Sequence, residues 1–130
     1  MTAASPLTIA RVRSAAFLGL EVVDVDVEVQ LSQGVPTFTV VGLPDKAVAE
    51  SRERVRAALI ALGMALPPRR ITVNLAPGDL AKEGSHFDLP IALGLLIVMG
   101  VLPADLVESH LVLGELGLDG SIRSVGGVLP

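Results

Sequence analysis

The sequence predicts an α+β fold, a two-layer sandwich in which two helices cover one face of a mixed, mainly antiparallel sheet. Three observations carry this expectation. Residues 23–31 alternate strictly between apolar and polar, two later segments switch to a helical period, and Gly or Pro stands at the breaks. In "VVDVDVEVQL", Val23, Val25, Val27, Val29 and Leu31 share one side of a strand, and Asp24, Asp26, Glu28 and Gln30 share the other. One sheet face therefore meets water, which favours antiparallel or mixed pairing over a fully wrapped parallel sheet.

The other elements follow in chain order. A first strand is expected over Thr8–Arg13. After the Ser32-Gln33-Gly34 turn, Thr37–Val41 is expected to return as the hairpin partner of the acidic strand. "LPDKAVAESRERVRAALIALG" then changes period: Val48, Val55, Leu59 and Leu62 form one stripe, Asp45 can cap the start, and Gly63 stops the helix. Glu50 and Arg54 are spaced for an i,i+4 pair. Ile71–Leu75 alternates again and delivers the chain to the polar loop "GDLAKEGSHFD". Asp88, at the end of that loop, is expected to cap a buried helix over Pro90–Met99. "HLVLGELGLDGSIRSV" reads as two strands around Asp119-Gly120, a pair suited to a type I′ hairpin. The predicted order is β-β-β-α-β-α-β-β.

Composition narrows the function classes. A chain of 130 residues suffices for one compact domain with a real core. At 51% hydrophobic and 18% charged residues it is globular rather than disordered. A formal charge of -4 is opposite to the balance of a dedicated nucleic-acid module. The absence of Cys excludes disulfide scaffolds and Cys-based zinc sites. The longest apolar run, Leu89 to Leu102, is broken by Pro90 and two glycines and is short of a membrane span. No basic segment precedes an apolar run at the start, so no signal peptide is expected and the protein is placed in the cytoplasm. The chain ends in the apolar "GGVLP", in mid-pattern, and is expected to be part of a longer protein.

The chemistry is defined first by what is missing. No GxxxxGK[ST] phosphate loop occurs, no GxGxxG follows a strand, and His86 and His110 lack metal-ligand partners at short spacing. Nucleotide hydrolysis and metal binding cannot be assigned to these residues. His86 is a conceivable base for Ser85, but neighbours in an extended stretch point to opposite sides, which opposes direct activation. His110 is expected at the surface or a sheet edge. Arg52 and Arg56 lie four apart on one helix edge and can grip phosphates, against a plain reading as a solvated face partly neutralised by Glu50 and Glu53. Arg69 and Arg70 follow the rigid Pro67-Pro68 at a strand start, where they can contact DNA, contact a neighbouring subunit, or simply keep the loop soluble.

Three long stretches, "VGLPDKAVAESRERVRAAL", "PPRRITVNLAPGDLAKEGSHFDLPIALGLL" and "LGELGLDGSIRSVGGVLP", resemble the N-terminal domain of the magnesium-chelatase-like AAA+ ATPases, the ComM/YifB group. The resemblance runs from about Leu7 to Pro130. It implies a protein roughly four times this length, in which an ATPase core using ATP and Mg2+ lies beyond Pro130. It further implies a hexameric DNA motor that drives branch migration in natural transformation, with its own AAA+ core, neighbouring subunits and branched or single-stranded DNA as partners.

The domain is in turn similar to the proteolytic domain of Lon. Those peptidases carry a Ser nucleophile in a Lys-Asp-Gly-Pro-Ser-Ala-Gly stretch and a Lys base shortly after a Gly-Gly pair. Laid on this chain without gaps, Lys82-Glu83-Gly84 matches the first three positions, Ser85 falls on the Pro and His86 on the nucleophile. Gly126-Gly127 matches the pair, and Leu129 falls on the Lys position. Both members of the dyad are missing, and a hydroxyl without a base is a poor nucleophile. The resemblance therefore implies a non-catalytic accessory domain with Arg52, Arg56, Arg69 and Arg70 as contact candidates. The competing expectations are an active Lon-like serine peptidase acting through Ser85 and a purely structural oligomerisation module.

Overall fold

The computed structural model describes residues 8–123 and shows a mixed α+β architecture. Strands β1 (Thr8–Leu18), β2 (Glu21–Ser32), β3 (Thr37–Val41) and β4 (Arg70–Ala76) form one sheet in the order β1-β2-β4-β3. Helices α1 (Lys46–Ala49) and α2 (Ser51–Ala61) lie between β3 and β4, and α3 (Asp88–Val98) follows β4. A two-stranded ribbon of β5 (Glu115–Leu116) and β6 (Ile122–Arg123) closes the described chain. The predicted fold class and the order of the main elements are those observed.

β2 obeys its alternation. Val25, Val27, Val29 and Leu31 are at most 4% exposed, whereas Asp24 and Asp26 face solvent. On the polar face, one row crosses three strands: Arg11 and Asn74 both donate to the Glu28 carboxylate at 2.9 Å, and register places Glu28 opposite each of them. β1 is longer than the predicted Thr8–Arg13 because its inward residues continue through Ser14 and Ala16.

The expected hairpin of β3 on β2 is not formed. β4 stands between them, antiparallel to β2 and parallel to β3, with Val73 opposite both Val29 and Val40. The helices α1 and α2 supply the crossover that a parallel pair requires. The chain leaves β3 through Gly42 at φ +107°, where a Cβ would lie 2.3 Å from the Leu75 carbonyl oxygen, so only glycine permits this approach to β4.

Asp45 caps as predicted, accepting from the Val48 amide at 2.8 Å, but the helix it starts is interrupted at Glu50. Val48, Val55, Ala58 and Leu59 are buried by the stripe, while Leu62, past the helix end, is 59% exposed. α3 is buried on most of its circumference, and Gly94 brings its backbone against β2: an added Cβ would meet Val29 Cγ2 at 2.5 Å. The main core lies between the sheet and α2/α3, and Val12, Val107 and Val112 form a smaller cluster beside α3. The β5–β6 ribbon surrounds Asp119-Gly120 as expected, but through a five-residue loop closed by Gly117 N–H to the Ser121 carbonyl at 2.8 Å rather than a two-residue type I′ turn. No described helix is long and apolar enough to cross a membrane.

Candidate functional site

The loop from Pro77 to Phe87 joins the central strand β4 to the buried helix α3, so its backbone must be satisfied by neighbours rather than by a ladder. Lys82 is the anchor. Its N–H donates to Leu43 O at 2.9 Å, and its carbonyl accepts from Asp45 N–H at 2.8 Å, a short bridge to the segment between β3 and α1. The side chain is fully buried and its ammonium donates to the Pro77 carbonyl, folding the loop onto itself. Burial pushes the Lys82 amine below its ordinary range, opposed by the Asp79 charge. The carboxylate of Asp45 ties the same loop from the other side, accepting from Gly84 N–H at 3.2 Å while it caps α1.

Ser85 and His86 diverge, as neighbours in an extended stretch should. The Ser85 hydroxyl donates to Glu115 Oε1 at 2.6 Å. His86, 4% exposed, reaches the Ala15 carbonyl through Nε2 at 2.7 Å and packs against Phe17 and Phe87 at ring-centroid distances of 5.3 and 4.2 Å. Its contact replaces a strand donor on the outer edge of β1, where Val112 N–H already serves Arg13 O at 2.8 Å. Because the partner is a carbonyl, Nε2 carries the hydrogen. Desolvation lowers the His86 pKa, partly opposed by the Ala15 carbonyl and by the charges of Asp88 and Asp45.

Asp88 is not the helix cap the sequence suggested. It is the first helical residue of α3, Phe87 occupies the cap position without a side-chain bond, and the Asp88 carboxylate is fully buried. Arg54 Nε and Nη2 donate to it at 2.6 and 3.1 Å, Ser51 Oγ at 2.5 Å, and Leu116 N–H at 3.1 Å. The predicted Glu50–Arg54 pair exists only as a 3.9 Å contact beside this fork. Asp88 therefore joins α2, α3 and β5, and the signal for it lay in a buried Asp and an Arg far apart in sequence.

Among the described residues, the Ser85 hydroxyl meets a carboxylate and not an imidazole or an amine. The histidine next to it turns away to the Ala15 carbonyl, so His86 is not placed to take the Ser85 proton. The Leu129 and Gly126-Gly127 positions lie outside the described residues. Among the described residues, no three His, Asp or Glu side chains converge to hold a metal ion. His110 is exposed, as expected.

Arg52, Arg56, Arg69 and Arg70 are all exposed and lie toward one end of the sheet. Arg52 Nη1 donates to the Phe38 carbonyl on the edge strand β3 at 3.3 Å, and the Arg70 guanidinium lies over the turn at Gly34. At the same end is a groove of about 320 Å³ with Phe38, Ile60, Leu66 and Ile71 on its walls, bordered by Arg56, Arg69 and the diproline, with no acidic residue in its lining. Sequence reasoning named the four arginines but not the apolar groove, because its walls come from β3, α2, β4 and the loop before β4.

The profile of the family described as subunit ChlI of Mg-chelatase matches residues 27–130. The chain is 48% identical over 124 residues to competence protein ComM of Haemophilus influenzae, covering 95% of this chain and 24% of that protein. It is 43% identical over 123 residues to protein YifB of Escherichia coli, again covering 95% of this chain and 24% of the relative. The chain thus spans about a quarter of the length of these relatives. With four-fifths of its residues under that profile, the chain belongs to the Mg-chelatase subunit ChlI family, in its ComM/YifB-like branch.

Proposed function

We propose that these residues form a non-catalytic, Lon-like N-terminal domain of a ComM-type AAA+ ATPase. In this reading the whole protein is a cytoplasmic, hexameric branch-migration helicase in natural transformation. Its ATP and Mg2+ are bound by a core outside these residues, which contain no phosphate loop. The name of the Haemophilus relative, a competence protein, supports the process. The role of the domain is to guide branched or single-stranded DNA toward the motor. One observation carries that role: four exposed arginines lie toward one end of a chain that is otherwise acidic. Phosphate binding draws on positive groups, so contact is local to that end.

Fluorescence anisotropy of labelled forked and single-stranded DNA, titrated at low and then physiological salt, tests this. Salt-sensitive binding by the wild type that disappears in R69E/R70E supports the DNA role. Absence of binding at low salt, where screening is weakest, removes it. The competing peptidase reading is tested separately with a serine-directed phosphonate, which is expected to leave Ser85 unlabelled because its hydroxyl has only a carboxylate partner.

A further inference from the structure

The groove described above has a counterpart at the other end of the sheet. β1 and β2 meet in a tight turn at Gly19-Leu20, where Leu20 is 104% exposed, Val22 61% and Leu18 43%. Isolated exposed apolar side chains are ordinary, but three large ones on one hairpin tip make an apolar knob. Glu21, exposed in their midst, adds a negative charge. The groove offers the complement in both respects: an apolar wall of Phe38, Ile60, Leu66 and Ile71, and a rim of Arg56 and Arg69 with no carboxylate.

Topology forbids a meeting within one molecule. Leu31 is opposite Ile71 and Ser32 opposite Arg70, so the groove adjoins the end of β2 farthest from Glu21. At the rise of a strand, the two lie ~33 Å apart. We propose that the β1–β2 tip of one copy of this chain seats in the diproline groove of a second copy, with Leu20 entering the apolar cleft and Glu21 facing Arg56 and Arg69. The contact is heterologous: each copy in a pair keeps one free tip or one free groove, so addition continues to a closed ring or an open chain. It shares Arg56 and Arg69 with the DNA role proposed above, whereas Leu20 and Glu21, at the far end of the sheet, belong to this contact alone.

Sedimentation velocity over a wide concentration range tests the proposal with wild type, Leu20→Asp and R56E/R69E. The wild type is expected to gain average mass with concentration, while each variant alone stays monomeric. An equimolar mixture of the two variants is expected to form a dimer and stop, because only one intact tip can meet one intact groove. Monomeric wild type at every concentration, self-association of either variant at the wild-type level, or a mixture that stays monomeric would each overturn the proposal. All three altered positions are exposed, and thermal unfolding of each variant should match the wild type. Should one melt early, the charge swap serves instead: E21R weakens association and E21R/R56E/R69E restores it, whereas failure of the swap to restore it overturns the contact. Leu20→Asp titrated with labelled DNA separates the two readings, since it abolishes association and leaves any DNA binding at the wild-type level.

Discussion

His86 and Lys82 are buried titratable groups four residues apart, and both are pushed toward their neutral forms by desolvation. The consequence for stability has the same sign at both. Between the lowered folded value and the ordinary 6.5 of histidine, the unfolded chain binds more protons than the native one, so stability rises with pH across that window. Acidification below 6.5 is therefore expected to weaken the fold, and His86→Gln, which can still donate to Ala15 O, should flatten the dependence. For Lys82 the window lies below 10.5, and stability should climb as the medium becomes alkaline. Lys82→Met keeps the buried stem, removes the amine and should abolish that climb. Urea unfolding across a pH series reads both, and a pH dependence unchanged by either substitution would refute the assigned cause.

At the scale of elements, one carboxylate and one glycine set how the helices sit. Asp88 receives donors from α2, from Ser51 at its start and from β5, so its removal leaves a half-buried guanidinium and a buried amide unpaired. Asp88→Ala is expected to cost about 3 kcal/mol or more, the range for breaking one partner out of a buried ion pair. A loss near that of an exposed pair, under ~1 kcal/mol, would show that the fork is dispensable. Gly94→Ala tests the contact between α3 and β2. Alanine favours a helix over glycine by ~1 kcal/mol, yet its Cβ would enter the space of Val29 Cγ2. The overpacking should win, with a net loss of about 1–3 kcal/mol. Because the clash is with one side chain, adding Val29→Ala should cost less than the two single losses combined, measurable as a double-mutant cycle.

The whole molecule is polar in the literal sense: an apolar tip with Glu21 at one end of the sheet, four arginines and an apolar groove toward the other, and an acidic row along β2 between them. With a net charge of -4, the DNA contact proposed here is local to the end that carries Arg52, Arg56, Arg69 and Arg70. Each single-strand phosphate neutralised contributes about 0.7 to the slope of log affinity against log salt, so R69A/R70A should reduce the slope by about 1.4 if both touch phosphate. An unchanged slope would remove those two residues from the DNA path.

Much of this was legible in local sequence. The alternation of Val23–Leu31, the cap at Asp45, the apolar run of α3 and the ribbon around Asp119-Gly120 depend on residues within one element, so periodicity and turn chemistry suffice to find them. The divergence of Ser85 and His86 followed from the same local geometry. Tertiary structure alone decided the partner of β3, because the preference for β4 over β2 arises only once the intervening helices fold back onto the sheet. It also turned Asp88 from a cap into a buried junction, since Arg54 lies on a different helix and burial makes a charged donor worth more than a backbone one. The apolar groove has the same origin: its walls come from distant segments, and no stretch of the chain contains the surface that their packing creates.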